Sequence, residues 1–391
     1  MPPLPLPLSG LVVVDLSRHL PGPLTARLLA DLGARVVKVE EPTLGDPARL
    51  APPVREGVSS LGAILLSGVE SVALDLKQPG GREVLERLLA RADVLLESFR
   101  PGTLARFGCA PEELRQRYPR LVICSMSGWG QDGPYASRAG HDLTYQAVAG
   151  ALAPTAAMPA SPTSDLTGAW SAAASILAAL LARERTGEGS RVDVGLLDAA
   201  VHSNVIGWAV EAGGPKGVGE RLPLTGALPC YNLYETADGR LLALAALEPH
   251  FWQRFCLAVG RKDLIRLQYH SSPRVRRKVQ ELIRSRTLAD WMELAGREDV
   301  PAEPVLSAAE ALDHPQVRER GLLSKAADHL PRLAFPARFD GQRPPSGGKV
   351  PELGEHTKFI LGELGISRET AKEAGVGRRF SFRRWFRTVL R

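Results

Sequence analysis

Residues 9–42 constrain the fold more than any other stretch. They hold an apolar run, LVVVDL, a helix-like segment, PGPLTARLLADLG, and a second apolar run, ARVVKVEEP. A strand wet on one face alternates apolar and polar residues; a continuous apolar run suits a strand buried on both faces. Proline near the start and glycine at the end of the middle segment are helix start and stop signals. Pro42 ends the second run. The stretch therefore reads as one βαβ unit, right-handed by the usual chirality rule. The alternation continues with a strand at SVALDLK (71–77), an amphipathic helix at GGREVLERLLARA, a strand at DVLLESF, a short helix at PEELRQRY and a strand at LVICSMSGWG. Repeated strand–helix pairs predict a mainly parallel, doubly wound sheet, hence an α/β fold. No GxGxxG follows the first strand and no GxxxxGK[ST] occurs, so neither nucleotide-binding reading has its motif.

At 391 residues the chain exceeds one ordinary core. Residues 1–211 are assigned to the N-terminal part of a large domain. Residues 212–229, AGGPKGVGERLPLTGALP, read as a linker; GGPKGVGE within them has no strand before it and no helix directly after, so it is not a phosphate cradle. Residues 230–325 read as a small α+β domain, opening with a hairpin that turns at Asp238-Gly239. Residues 326–377 are Pro/Gly-rich and then helical, and 378–391 form a basic aromatic tail.

That tail, Arg378–Arg391, explains the net charge of +6. It carries six of the 49 Lys and Arg and no acid; the remaining 43 basic residues balance 43 acidic ones. A formally neutral body gives no reason to expect a nucleic-acid partner. Arginines interleaved with Phe380, Phe382, Trp385 and Phe386 suit an anionic membrane surface, although an extended terminus without a role accounts for them as well. Four cysteines without CxxC spacing read as buried thiols in a reducing compartment rather than a disulfide framework or zinc site. MPPLPLPLSG has no basic region and no long apolar run, and the apolar stretch around Ala169–Ala182 is shorter than the ~20 residues of a membrane span. A cytoplasmic location is expected.

The chemistry concentrates in residues 140–183. His141, in GHD, and Asp165, in SDLTG, flank an Ala/Pro/Ser-rich loop that runs into a nearly uncharged helix of small residues. A base, an acid and a helix N-terminus close in sequence suit proton or acyl transfer. On position alone Asp165 reads as a helix N-cap and His141 as a structural hydrogen-bonder.

Several stretches occur in a telling order: DLSRHLPGPLTARLLADLGARVVKVEEP, SVALDLKQPGGREVLERLLARADVLLESFRPG, SGWGQDGPYASRAGHD, RTGEGSRVDVGLLDA, YETADGRLLALAALEPHFW and VPAEPVLSAAEALDHPQVRERGLL. With them the chain resembles the family III coenzyme A transferases (CaiB/BaiF type) over roughly residues 8–376, nearest in motif to the 2-methylacyl-CoA racemases among them. The resemblance implies a Rossmann-like large domain built from both chain ends, with 326–377 returning to it. It also implies a smaller α+β domain and an interlocked homodimer, its active site lying between the large domain of one subunit and the small domain of the other. The implied substrate is a coenzyme A thioester, with no metal and no redox cofactor.

By the same resemblance Asp165 is the catalytic aspartate: a nucleophile in transferases, a proton carrier in racemases. A racemase needs a second group on the opposite face of the α-carbon, and His141 is that group. Glu248, in EPHFW, falls where racemase-like proteins pair a glutamate with the histidine; beside Pro249 it reads equally as an acid at a helix start. Arg100 of FRPG and Lys38 of VVKVE lie in the implied coenzyme A region, with Arg138 near the entrance. Backbone N–H groups at Leu166–Gly168 are expected to meet the enolate oxygen. One departure stands out: LLSGVESVALDLK has Glu70 where the family commonly carries a basic run. The leading function is epimerisation of a 2-methylacyl-CoA. The alternative is CoA transfer through an aspartyl intermediate, and the third reading is a catalytically silent CoA-binding protein.

Overall fold

The computed structural model describes residues 6–55, 57–213, 223–325, 330–345 and 348–375. Half of the expected linker (214–222 of 212–229) and the whole tail 378–391 lie outside the described residues. The chain divides into two compact units, one of residues 1–149, 159–203 and 318–391, the other of 150–158 and 204–317. The crossing at 203/204 precedes the stretch read as a linker, because residues 205–213 continue as helix rather than loop.

The larger unit is built on six strands: β1 (Val12–Asp15), β2 (Arg35–Glu40), β3 (Glu70–Ala73), β4 (Val94–Glu97), β5 (Val122–Ser127) and β6 (Arg191–Gly195). All neighbours pair in parallel, in the order β3-β2-β1-β4-β5-β6. This is the strand order of doubly wound sheets, with its reversal point between β1 and β4. The apolar runs form central strands because both faces are covered. Val13, Val36, Val94 and Leu96 pack on one side with α1 (Pro21–Asp31). Val14, Val37, Leu95 and Ile123 pack on the other with α2 (Pro79–Leu89).

Three further helices complete this unit's site-bearing side: α3 (Asp142–Val148), α4 (Thr163–Thr186) and α5 (Leu196–Ser203). α4 is 24 residues long, longer than its apolar stretch alone indicates, and is long and apolar enough to cross a membrane. Here its small residues Ala169, Ala172 and Ala173 are buried in the core beside α1. Close approach is visible where Thr25 Oγ1 on α1 donates to the Ala169 carbonyl at 3.2 Å. A β-carbon on Gly168 would meet Leu196 Cδ2 of α5 at 2.4 Å.

The smaller unit holds a three-stranded antiparallel sheet of β7 (Tyr231–Glu235), β8 (Leu241–Ala245) and β9 (Ala302–Pro304), with β8 central. The hairpin at Asp238-Gly239 forms, with Gly239 at φ 71° as its turn requires. α6 (Pro249–Ala258) and α7 (Leu288–Glu298) close its core around Trp252, Phe255 and Trp291. The chain then returns to the larger unit, where α8 (Thr357–Glu363) places Ile360 and Leu361 in the core with α2. All four cysteines are buried and unpaired.

Candidate active site

Doubly wound sheets bind ligands beyond the carboxyl ends of their strands, at the point where strand order reverses. A cleft of about 350 Å³ lies there in the larger unit. The segments following β1 (Arg18, His19), β4 (Ser98–Arg100) and β5 (Gly128) line it, together with His141 and Asp165. The loops after β1 and β4 are tied together by the Arg18 N–H, which donates to Ser98 Oγ at 2.9 Å.

Asp165 is not the N-cap. α4 begins at Thr163 after Pro162, which places Asp165 in the first turn. Its own N–H donates to Asp142 Oδ1 at 3.1 Å, while Asp142 Oδ2 accepts from Gln146 Nε2 at 2.6 Å. Asp142 is the first residue of α3, so this carboxylate joins the starts of the two helices that carry the site. Burial first, and the Asp142 charge second, push the Asp165 carboxyl from its ordinary 3.8 up to about 6. A carboxyl poised there can take or give a proton near neutrality.

His141 caps α3. Its N–H donates to Thr144 Oγ1 at 3.0 Å, and the Thr144 N–H donates to the His141 carbonyl at 2.8 Å. With the backbone held, the exposed side chain is presented along the cleft that also holds Asp165.

The arginines cluster as expected, with one addition. Arg100 and Arg138 both line the cleft, and so does Arg18, which the motifs did not single out. The Arg138 guanidinium lies over the Tyr135 ring, 3.6 Å from its centroid. Three cations around one opening suit an anionic ligand.

Lys38 departs from expectation. It is 1% exposed, and its ammonium lies 3.0 Å from Asp15, 3.0 Å from Asp46 and 2.8 Å from the Ser17 carbonyl that accepts its proton. Burial alone would depress its pKa, but the surrounding carboxylates outweigh it and hold the pKa above the ordinary lysine value. Lys38 is therefore an internal ion-pair centre joining β1, β2 and Asp46, buried away from any phosphate.

The expected oxyanion donors also differ. The Leu166 N–H already donates to the Pro162 carbonyl at 3.0 Å, and Gly168 is small because Leu196 packs on it. Glu248 lies in the smaller unit, exposed, immediately before α6. Its carbonyl accepts from Phe251 and Trp252, as the reading of a residue at a helix start anticipates. Glu70, which stands where the basic run was expected, accepts from Arg35 at 2.8 Å. Among the described residues, no group of three or more His, Cys, Asp or Glu is arranged to hold a metal.

Asp142, Arg18 and His19 are the lining or supporting residues that the motifs left unassigned. Asp142 was visible in the GHD triplet. Arg18 and His19 directly follow the first strand, the position from which doubly wound sheets reach a ligand.

The family model for CoA-transferase family III matches residues 8–357. The chain is 35% identical over 378 residues to the alpha-methylacyl-CoA racemase of Homo sapiens, covering 93% of this chain and 94% of that protein. It is 31% identical over 338 residues to the acetyl-CoA:oxalate CoA-transferase of Acetobacter aceti, covering 82% and 86%. Among solved structures, a CAIB/BAIF family protein from Brucella suis superposes with a TM-score of 0.80 at 29% identity, covering 92% of this chain and 99% of that one. The resemblance drawn from the motifs is borne out.

Proposed function

The chain belongs to CoA-transferase family III, and from that premise we propose that it moves the proton on the α-carbon of a 2-methylacyl-CoA. It is an enzyme acting on CoA thioesters, of the racemase or the CoA-transferase kind. The observation that favours proton transfer is the presence of His141 and Asp165 in one cleft, with Asp165 held near a neutral-range pKa. One of the pair takes the α-proton and the other returns it on the opposite face. Arg18, Arg100 and Arg138 receive the phosphates of coenzyme A at the rim.

We further propose a homodimer in the cytoplasm. Residues 205–213 form a helix with no buried side chain, and Val205, Ile206 and Trp208 are exposed on it. A second copy would cover this apolar surface, and Glu248 of the partner subunit would then orient the His141 ring.

The second reading is a CoA-transferase, favoured by the likeness to the Acetobacter aceti enzyme. There Asp165 attacks the thioester carbonyl, expels the CoA thiolate and is acylated. The two are separated by incubating the protein with 2-methylacyl-CoA in D₂O, with and without a free carboxylic acid. Deuterium at the α-carbon without an acid acceptor supports proton transfer. No deuterium, with CoA passing to the acid, supports transfer.

A further inference from the structure

One group in the cleft has no part in the chemistry so far. Tyr145 is 4% exposed, yet it lines the cleft with His141 and Asp165. It lies four residues after His141, the residue that caps α3. Its ring is held edge-on by Trp129, with centroids 4.9 Å apart and planes at 85°.

Two glycines make room for its oxygen. A β-carbon on Gly128 would fall 2.2 Å from Tyr145 Oη, and one on Gly140 would fall 2.9 Å from Oη and 2.5 Å from the ring. Neither glycine has a positive φ, so the backbone does not demand glycine at either position. What demands it is the place of the phenol. Despite this close seating, the hydroxyl makes no hydrogen bond to another described residue. Ser127, next to Gly128 and also lining the cleft, has a buried hydroxyl without a partner too. The buried Ser127 hydroxyl, without a protein partner, calls for a ligand or water to satisfy it, and Tyr145 lines the same cleft. Burial first, then Asp165 and Asp142, push the phenol up to about 12, so it keeps its proton and remains a donor throughout the working range.

We infer that Tyr145 Oη–H is the side-chain donor that receives the thioester carbonyl oxygen of the bound acyl-CoA. This rests on the proposed reading of the cleft as an acyl-CoA site. As the α-proton passes to one of the His141/Asp165 pair, the C–H electron pair becomes the enolate double bond. The carbonyl π pair moves onto oxygen. When the second group returns a proton to carbon, the electrons move back. Tyr145 keeps its proton throughout; its hydrogen bond strengthens only while the oxygen is negative. The same donor would meet the oxyanion of the tetrahedral adduct formed when Asp165 attacks the thioester carbonyl, before the CoA thiolate leaves, so the assignment holds for either reaction.

Tyr145→Phe tests it, because the ring still fills the space left by Gly128 and Gly140. The expected result is a fall in kcat of about a hundredfold, the loss typical of one oxyanion donor, with KM within a few-fold and thermal stability unchanged. A kcat within twofold of wild type overturns the inference. A second measurement needs no turnover. Calorimetric affinities for an acyl-CoA thioester and for the matching S-alkyl-CoA thioether, which lacks the carbonyl oxygen, are compared in both proteins. Wild type should prefer the thioester and Tyr145→Phe should lose most of that preference; an unchanged preference overturns the inference. Failure of the underlying reading looks different: wild type itself would neither exchange the α-proton nor transfer CoA.

Discussion

Replacing Asp165 by asparagine should stabilise the fold above pH 6 while abolishing turnover. The carboxyl is raised from 3.8 to about 6, chiefly by burial and secondly by Asp142. The folded state therefore binds this proton more tightly than the unfolded chain, whose aspartates titrate near ~3.9. Below about pH 4 both states hold the proton and no penalty exists. As pH rises to about 6 the unfolded chain releases it first, so stability falls through this window and the full cost is present above it. The raised value corresponds to about 3 kcal/mol as an upper bound, and partial solvent access brings the measured figure below that. Asparagine removes the ionisation, and no hydrogen bond contributes to the carboxyl's shift, so none is expected to be lost. Urea denaturation of both proteins at pH 4 and pH 7.5 is the assay. The variant should gain about 1–3 kcal/mol at pH 7.5 and little at pH 4. Equal stability at both pH values, or a loss at pH 7.5, would mean that ionised Asp165 does not destabilise the fold.

Asp142→Asn keeps an acceptor for the Asp165 N–H but removes the neighbouring charge, so the Asp165 titration, followed by NMR or by the acid limb of kcat/KM, should move to lower pH. Lys38→Met leaves Asp15 and Asp46 buried and unpaired, and chemical denaturation should show a loss of about 3–5 kcal/mol. Arg100→Ala should weaken acyl-CoA binding about tenfold or more, the worth of a hydrogen bond to a charged group, with kcat little changed in steady-state kinetics. His141→Ala should abolish α-proton exchange while leaving any CoA transfer through Asp165 measurable by product chromatography.

The sheet was legible because its strands are buried on both faces and so read as continuous apolar runs, as LVVVDL and LVICSMS do. The same logic applies to Lys38. A lysine inside VVKVE, flanked by core valines, has no wet face to point to, and its partners Asp15 and Asp46 come from other segments. That Asp165 and His141 share one cleft was anticipated through the resemblance and not through spacing, since a helix-start aspartate and a loop histidine are common features. The start of α4 was not legible: the chain becomes helical at Thr163, so the amides expected to face substrate are already committed within the helix. Asp142 stands in the GHD triplet, but its role was not legible there, because it depends on which two helix starts meet and local sequence does not encode that. The space that Gly128 and Gly140 leave for Tyr145 was not legible, because it depends on a contact between separate segments.

The central claim is that His141 and Asp165 exchange the α-proton of an acyl-CoA between the two faces of one carbon. Starting from a single enantiomer of 2-methylacyl-CoA in D₂O, the chirality and the deuterium content of the recovered thioester are followed together by chiral chromatography and mass spectrometry. The inverted enantiomer should appear carrying deuterium at the α-carbon, and Asp165→Asn should yield none. Recovery of the starting enantiomer with its α-hydrogen intact, under conditions where CoA moves to an added carboxylic acid, would contradict that claim.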